Sequence, residues 1–245
     1  KSGGDIMGTV VVIIDVTETE HREQMRREFT ANVSHELKTP LTSISGFAEL
    51  MKDGGLTDET VKDFSSSIYT EAQRLINLVA DIIKISELDE TSEHLNDESI
   101  DIFELSKEII NRLKPSADKK NIKFDITEKN TRITGDRRII DEMIYNLCDN
   151  AIKYNKVGGR VDLKISDDGE KINLSVSDTG IGIPPQSQDR VFERFYRVDK
   201  SRSKAEGGTG LGLSIVKHAA MYHNATVSLQ SEVDKGTTVT VSFKK

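Results

Sequence analysis

Apolar residues recur at intervals of four and three from Met25 through Phe29, Val33, Leu37, Leu41, Ile44 and Ala48 to Met51. That spacing winds one apolar stripe along a long helix, expected from Thr17 to about Lys52 and stopped by Asp53-Gly54-Gly55, residues that tolerate left-handed backbone. A second helix begins at Asp58 and Glu59, whose charges suit a helix N-terminus, and repeats the pattern in Val61, Phe64, Ile68, Ala72, Leu75, Val79, Ile82 and Ile85. Two such helices joined by a short turn form a hairpin too thin to bury both stripes. Pairing two hairpins into a four-helix bundle solves this, so a homodimer is expected; the competing solution packs the hairpin on the second half of its own chain.

Upstream, residues 8–16 read as one buried strand of β-branched residues, the end of a preceding domain. Downstream, a polar connector from Glu90 to Asp97 leads into a mixed pattern. Helices are expected at about 102–117, 136–154 and 211–223, with strands near 122–127, 131–134, 160–166, 171–177, 225–231 and 237–243. Asp167-Asp168-Gly169-Glu170 is a hairpin turn between two of these strands. Strands and helices do not alternate in a βαβ rhythm, which favours a layered α+β sandwich over a doubly wound sheet.

Composition sharpens this picture in three ways. With 245 residues, 36% hydrophobic and 31% charged, the chain is globular and long enough for two folded units. The longest apolar run, Val10 to Ile14, is far short of the ~20 residues of a membrane span. A lone cysteine, Cys148, cannot form an internal disulfide and suits a reducing compartment. The net charge of −7 is uneven: residues 17–95 carry 16 acidic against 8 basic side chains, residues 96–245 carry 23 against 25. A faintly basic second half fits a polyanionic ligand there, or simply a solvated surface. No basic stripe points to nucleic acid.

Ser34-His35-Glu36-Leu37-Lys38-Thr39-Pro40 concentrates reactive side chains on the first helix. At about 100° per residue His35 stands roughly 200° from Val33 and Leu37, so burying those two turns the imidazole outward. That position suits a nucleophile, and equally a solvated surface histidine. Position 39 is Thr, so this is no zinc-protease helix. Pro40 has no N–H to give the carbonyl of Glu36, and a bend is expected there. Asp178-Thr179-Gly180-Ile181-Gly182-Ile183-Pro184 ends a strand; its carboxylate can accept an adenine amino group, although a tight turn would look the same. Gly207-Gly208-Thr209-Gly210-Leu211-Gly212-Leu213 opens a helix, offering free N–H groups to phosphates without being a Rossmann or P-loop motif. On the helix from 136, Glu142, Asn146, Asn150 and Lys153 share one polar face; hard oxygens suit Mg²⁺ and the ammonium suits phosphate. Residues 184–206 read as a lid anchored by Phe192-Glu193-Arg194-Phe195-Tyr196-Arg197, with Arg194, Arg197 and Lys200 candidates for phosphate contact.

Taken in this order, these stretches resemble the catalytic region of a bacterial sensor histidine kinase of two-component signalling. Ser34–Leu41 is similar to the H box, Glu142–Tyr154 to the N box, Asp178–Pro184 to the G1 box, Phe192–Arg197 to the F box, Gly207–Leu213 to the G2 box, and Gly236-Thr237-Thr238 to the last glycine motif. The resemblance implies a multi-domain chain: residues 1–16 the end of a truncated PAS-like sensor domain, 17–95 a dimerisation and histidine-phosphotransfer hairpin, and 96–245 an ATP-binding α+β two-layer sandwich of the Bergerat (GHKL) type. It implies that Asp178 holds adenine, that Glu142, Asn146 and Asn150 serve Mg²⁺, and that the ATP pocket is completed by Lys153, Tyr154, Gly180, Gly182, Arg194, Arg197, Gly208, Thr209, Gly210, Leu211 and Gly212. It further implies that His35 attacks the γ-phosphate of ATP while Glu36 accepts its Nδ1 proton, that Thr39 positions water for dephosphorylation, and that the partner is a response regulator receiver domain. The chain would be the cytoplasmic portion of a membrane-anchored bacterial protein, touching membrane only through segments outside it. A gyrase-like or chaperone-like clamp ATPase is the rival within the same superfamily, and a scaffold or phosphatase that binds ATP only to set its conformation is the rival of another class.

Overall fold

A computed structural model describes residues 15–90, 97–127, 131–199 and 208–245. Residues 8–14 of the expected first strand, most of the 90–97 connector, Lys200 and Gly207 lie outside the described residues.

Helix α1 (Thr17–Asp53) and helix α2 (Asp58–Glu90) form the expected hairpin, turned through Gly54 and Gly55, both at positive φ. Helix α1 continues across Pro40, the one buried residue of its described part. The two stripes meet, with the Phe47 and Phe64 rings 5.1 Å apart. Much apolar surface stays uncovered: Met25, Leu41, Leu50, Tyr69, Ile76, Val79 and Ile83 are all exposed.

The sandwich follows as β1 (Asp97–Asp101), α3 (Ile102–Lys119), β2 (Lys123–Thr127), β3 (Arg132–Asp136), α4 (Arg137–Lys153), β4 (Arg160–Asp167), β5 (Lys171–Asp178), α5 (Pro185–Gln188), α6 (Gly212–Tyr222), β6 (Thr226–Glu232) and β7 (Gly236–Lys244). Five strands form a mixed sheet in the order β2-β4-β5-β7-β6, parallel only between β2 and β4. Strand β1 pairs with β3 in a separate two-stranded sheet. The sequence reading placed its first residue in the connector and left the rest unassigned, because Asp-Glu-Ser-Ile-Asp has neither strand propensity nor alternation; pairing with β3 makes it a strand, and Ile100 alone is buried.

Local chemistry fixes the other boundaries. Asp101 caps α3 by accepting from the N–H groups of Phe103 and Glu104, and Asp136 caps α4 through Arg138 and Ile139. The turn between β4 and β5 closes on Asp168, whose Oδ1 accepts from the N–H groups of Glu170 and Lys171, with Gly169 at φ +98°. Helices α3, α4 and α6 then bury Ile109, Ile140, Met143, Ile144 and Val216 against Leu163, Leu174 and Val241 of the sheet, all 1% exposed or less.

A second, smaller core joins hairpin to sandwich. Leu78 and Ile85 of α2 pack with Leu211 and Ile215, and Phe29, Leu37, Ile82, Leu88 and Phe195 close around them. The two solutions weighed for the hairpin's apolar surface are therefore both in play, since part of it packs on the sandwich and part stays open.

Candidate functional site

A cavity of about 810 Å³ opens between α4, the loop after β5, the start of α6 and one wall of α2. The polar face of α4 lines it as expected, with Glu142, Asn146, Asn150, Lys153 and Tyr154 all on its walls. Asn146 donates from Nδ2 to the Glu142 carbonyl and to Glu142 Oε1, both at 2.8 Å, which leaves its Oδ1 free to act as a ligand. Gly212 lies against both asparagines: a Cβ there would sit 3.0 Å from Asn146 Oδ1 and 3.3 Å from Asn150 Nδ2. Glycine thus keeps the space beside the amide oxygens open.

Asp178 lies at the end of β5. Its Oδ1 accepts from Gly180 N–H at 2.8 Å and Thr237 N–H at 3.3 Å, so Oδ2 is the oxygen available to a ligand amino group. Burial pushes its pKa up to about 6, against the opposing pull of those two backbone donors. Burial likewise works against the charge of Lys153, but Asp149 at 2.6 Å more than offsets it and holds the ammonium's pKa above its ordinary value. Asp149 was missed in the sequence, although its i,i+4 relation to Lys153 was readable there.

The glycine motifs divide by role. Gly182, Gly208, Thr209, Gly210 and Gly212 line the cavity. Gly180 supports it from behind, where a Cβ would run into the Tyr154 carbonyl. Leu211 corrects the sequence assignment: it is 0% exposed and belongs to the core under α2, with only its neighbours reaching the cavity. Helix α6 starts at Gly212, one residue later than expected, with Leu211 as its N-cap residue.

The aromatic lid segment also splits. Arg197 lines the cavity and reaches across to Glu36 Oε2 at 3.3 Å. Arg194 does not line it. Its guanidinium donates to both carboxylate oxygens of Asp89, at 2.6 and 2.8 Å, and to His218 Nε2 at 2.8 Å, and it lies over the Phe29 ring. The Ser214 carbonyl can only accept, so His218 Nδ1 carries the proton and Nε2 is the acceptor. In this arrangement Arg194 ties the aromatic segment to both helices of the hairpin. Phe195 beside it sits at φ +66°, with its N–H on the Gly210 carbonyl, so the lid and the glycine motif are joined through a strained residue.

His35 is exposed on α1, as expected from its position off the stripe. Glu36 Oε1 is 3.9 Å from His35 Nδ1, too long for a hydrogen bond. The carboxylate is instead held by Arg74 at 3.0 Å and Arg197 at 3.3 Å. Arg74, 10% exposed and from the far side of the hairpin, had no signal in the sequence. Thr39 donates its hydroxyl to the His35 carbonyl at 3.2 Å, one turn below. Among the described residues no cluster of three or more His, Cys, Asp or Glu side chains could hold a metal. One carboxylate and two amide oxygens beside a phosphate-sized space nevertheless fit Mg²⁺, which completes its shell with substrate oxygens and water.

Two family models match, in the order of the two structural units. Residues 25–91 match the His Kinase A (phospho-acceptor) domain, and residues 135–245 match the histidine kinase-, DNA gyrase B- and HSP90-like ATPase. The chain carries the core of the sensor histidine kinases. It is 41% identical over 237 residues to the sensor-like histidine kinase SenX3 of Mycolicibacterium smegmatis, covering 96% of this chain and 61% of that protein. It is 37% identical over 243 residues to the sensor protein kinase WalK of Staphylococcus aureus, covering 98% of this chain and 59% of that protein. The chain thus spans about three fifths of the length of these curated relatives. Among solved structures, histidine kinase ThkA in complex with response regulator protein TrrA is similar over 97% of this chain and 69% of that chain, with a TM-score of 0.72 and 25% identity. Acinetobacter baumannii histidine kinase AdeS shares the fold, with a TM-score of 0.71 and 23% identity over 86% of this chain and 97% of that one. The phospho-acceptor domain match spans α1 with its exposed His35, and the ATPase match spans most of the residues that line the 810 Å³ cavity.

Proposed function

We propose that this chain is a protein-histidine kinase that transfers the γ-phosphoryl group of ATP to His35 and then to an aspartate of a response regulator receiver domain. The observation that carries the reading is Arg197, which lines the nucleotide cavity and touches Glu36, the neighbour of His35. The acceptor helix and the nucleotide pocket are thereby in contact through one side chain.

The residues divide the work as follows. Asp178 Oδ2 accepts from the adenine amino group, Lys153 and the N–H groups around Gly208–Gly212 hold phosphate, and Arg197 offers a guanidinium to charge developing on the transferred group. Glu142, Asn146 and Asn150 would hold Mg²⁺, which neutralises phosphate charge when bound. The exposed imidazole of His35 attacks in line, and Glu36 takes the Nδ1 proton once it exchanges its arginine partners for the imidazole. Positioning and charge neutralisation are what such a transfer needs most. Burial depresses the pKa of Arg197, against the pull of Glu36, yet it stays cationic at any physiological pH.

A homodimer through the hairpin, in which the exposed apolar face of α2 meets a second copy in a four-helix bundle, belongs to the same reading. So do phosphatase activity through Thr39, a division at 17–95 and 96–245, PAS linkage through residues 1–16, and membrane anchoring through segments outside the chain. The test is incubation with γ-labelled ATP and Mg²⁺ beside His35→Gln. Acid-labile, alkali-stable label lost in the variant is the expected result. ATP hydrolysis without labelling of the protein would replace the kinase reading with a clamp ATPase.

A further inference from the structure

The nucleotide cavity is not built from the sandwich alone. Asn77, Ala80, Asp81 and Lys84 of α2 form one of its walls. Lys84 Nζ donates to Glu142 Oε1 at 2.7 Å, and Asn146 Nδ2 donates to the same oxygen at 2.8 Å. One turn away, Asp81 accepts from the Thr209 hydroxyl at 2.8 Å, and its pKa is raised by burial despite that bond. Leu78 and Ile85, 2% and 0% exposed, flank this pair and fix the face of α2 in place.

Glu142 is the single carboxylate among the three oxygen donors on α4 suited to a divalent cation. Its Oε1 already faces one ammonium, and a second, doubly charged cation on the same carboxylate would repel that ammonium at close range. We propose that Lys84 stands in for the divalent cation at Glu142, so that seating of α2 and loading of the metal–nucleotide pair oppose one another. This rests on the nucleotide-binding reading above. Coupling of this kind is reciprocal: whatever factor α2 docking takes from metal binding, metal binding takes from α2 docking. Lys84 is then a positioning residue that keeps α2 seated as a wall of the pocket until Mg²⁺ arrives with its nucleotide and releases the sandwich to move along the hairpin.

The test uses the whole chain and a fluorescent ATP analogue, titrated with Mg²⁺, in wild type, Lys84→Gln and Lys84→Arg. Because Lys84 is partly exposed, its pair with Glu142 is of the weaker kind, and the Mg²⁺ midpoint should fall about two- to fivefold in Lys84→Gln. Lys84→Arg, which keeps the charge, should stay near wild type and controls for folding. Hydrogen exchange supplies the second readout: amides of residues 77–88 should exchange faster with analogue plus Mg²⁺ than with analogue alone, and the difference should shrink in Lys84→Gln. Equal midpoints in all three proteins, or a midpoint that rises in Lys84→Gln because the ammonium serves phosphate instead, would overturn the inference while leaving nucleotide binding intact. No analogue binding in any of them would remove the nucleotide reading and this inference together.

Discussion

Asp178→Asn should make the sandwich more stable and unable to hold adenine. Burial raises the Asp178 pKa from 3.8 to about 6, so at neutral pH the folded chain carries an ionised carboxylate whose charge costs more than it does in the unfolded chain. Two pKa units correspond to about 3 kcal/mol of differential free energy. Asparagine keeps an oxygen for the Gly180 and Thr237 N–H groups but accepts more weakly than a carboxylate, which reduces the expected gain to about 1–2 kcal/mol. The pH dependence follows from proton counting. Below about pH 4 the acid is protonated in both folded and unfolded chains and costs nothing; between about 4 and 6 the folded state binds more protons, so wild-type stability falls as pH rises; above 6 the full cost remains. Urea unfolding of both proteins at about pH 4, 6 and 7.5, followed by a probe in the sandwich, should show the variant's advantage growing along that series. Adenosine, which has no phosphate to titrate, should bind wild type progressively more weakly below pH 6 and the variant weakly throughout. A variant less stable than wild type at pH 7.5, with an unchanged denaturant slope, would refute the view that this carboxylate is strained for binding.

Thr39→Ala should keep autophosphorylation and lose dephosphorylation of the response regulator, measured with purified partner phosphoprotein; equal loss of both would remove Thr39 from that role. Ile85→Ala, at a fully buried position under the sandwich, should cost about 2–4 kcal/mol of packing. Because Ile85 belongs to the smaller core, protease cleavage in α2 should accelerate while the unfolding midpoint of the isolated sandwich signal stays put. Gly236→Ala would place a Cβ against the Asp178 carbonyl at φ +119°, and a loss of about 2 kcal/mol or more in thermal unfolding is expected.

What the sequence disclosed, and what it hid, follows from the range of the forces involved. The hairpin and the helices of the sandwich were legible because periodicity and caps are local: Asp58 and Glu59, Asp136, and the Asp168-Gly169 turn each act within a few residues. The polar face of α4 was legible too, since a helix places Glu142, Asn146, Asn150 and Lys153 together whatever surrounds it. Strand β1 was hidden because its pairing with β3 joins residues more than thirty apart. Arg194 and Leu211 stand outside the lining of the cavity for the same reason: their partners, Asp89, His218 and Ile85, come from elements that only the fold brings close. Arg74 and Lys84 read as ordinary surface cations until α1 and α4 arrive beside them.

The single apolar stripe read along α2 is in truth several faces, and their angular separation bears on assembly. At about 100° per residue, Leu78 and Ile85 point within roughly 20° of each other and seat the sandwich. Tyr69, Ile76, Val79 and Ile83 cluster roughly opposite, and all are exposed. Between them lies the face carrying Phe64, which meets Phe47 of α1. A second hairpin can therefore cover the exposed face without displacing the sandwich, so dimerisation and docking do not compete for surface. Ile83→Glu sets a carboxylate in the middle of the open face, where a dimer would have to desolvate it at a cost of several kcal/mol. Sedimentation should then show monomer at concentrations where wild type is dimeric, with nucleotide affinity unchanged. Were Ile83→Glu to remain dimeric while Ile85→Ala dissociated, the assignment of the two faces would be reversed.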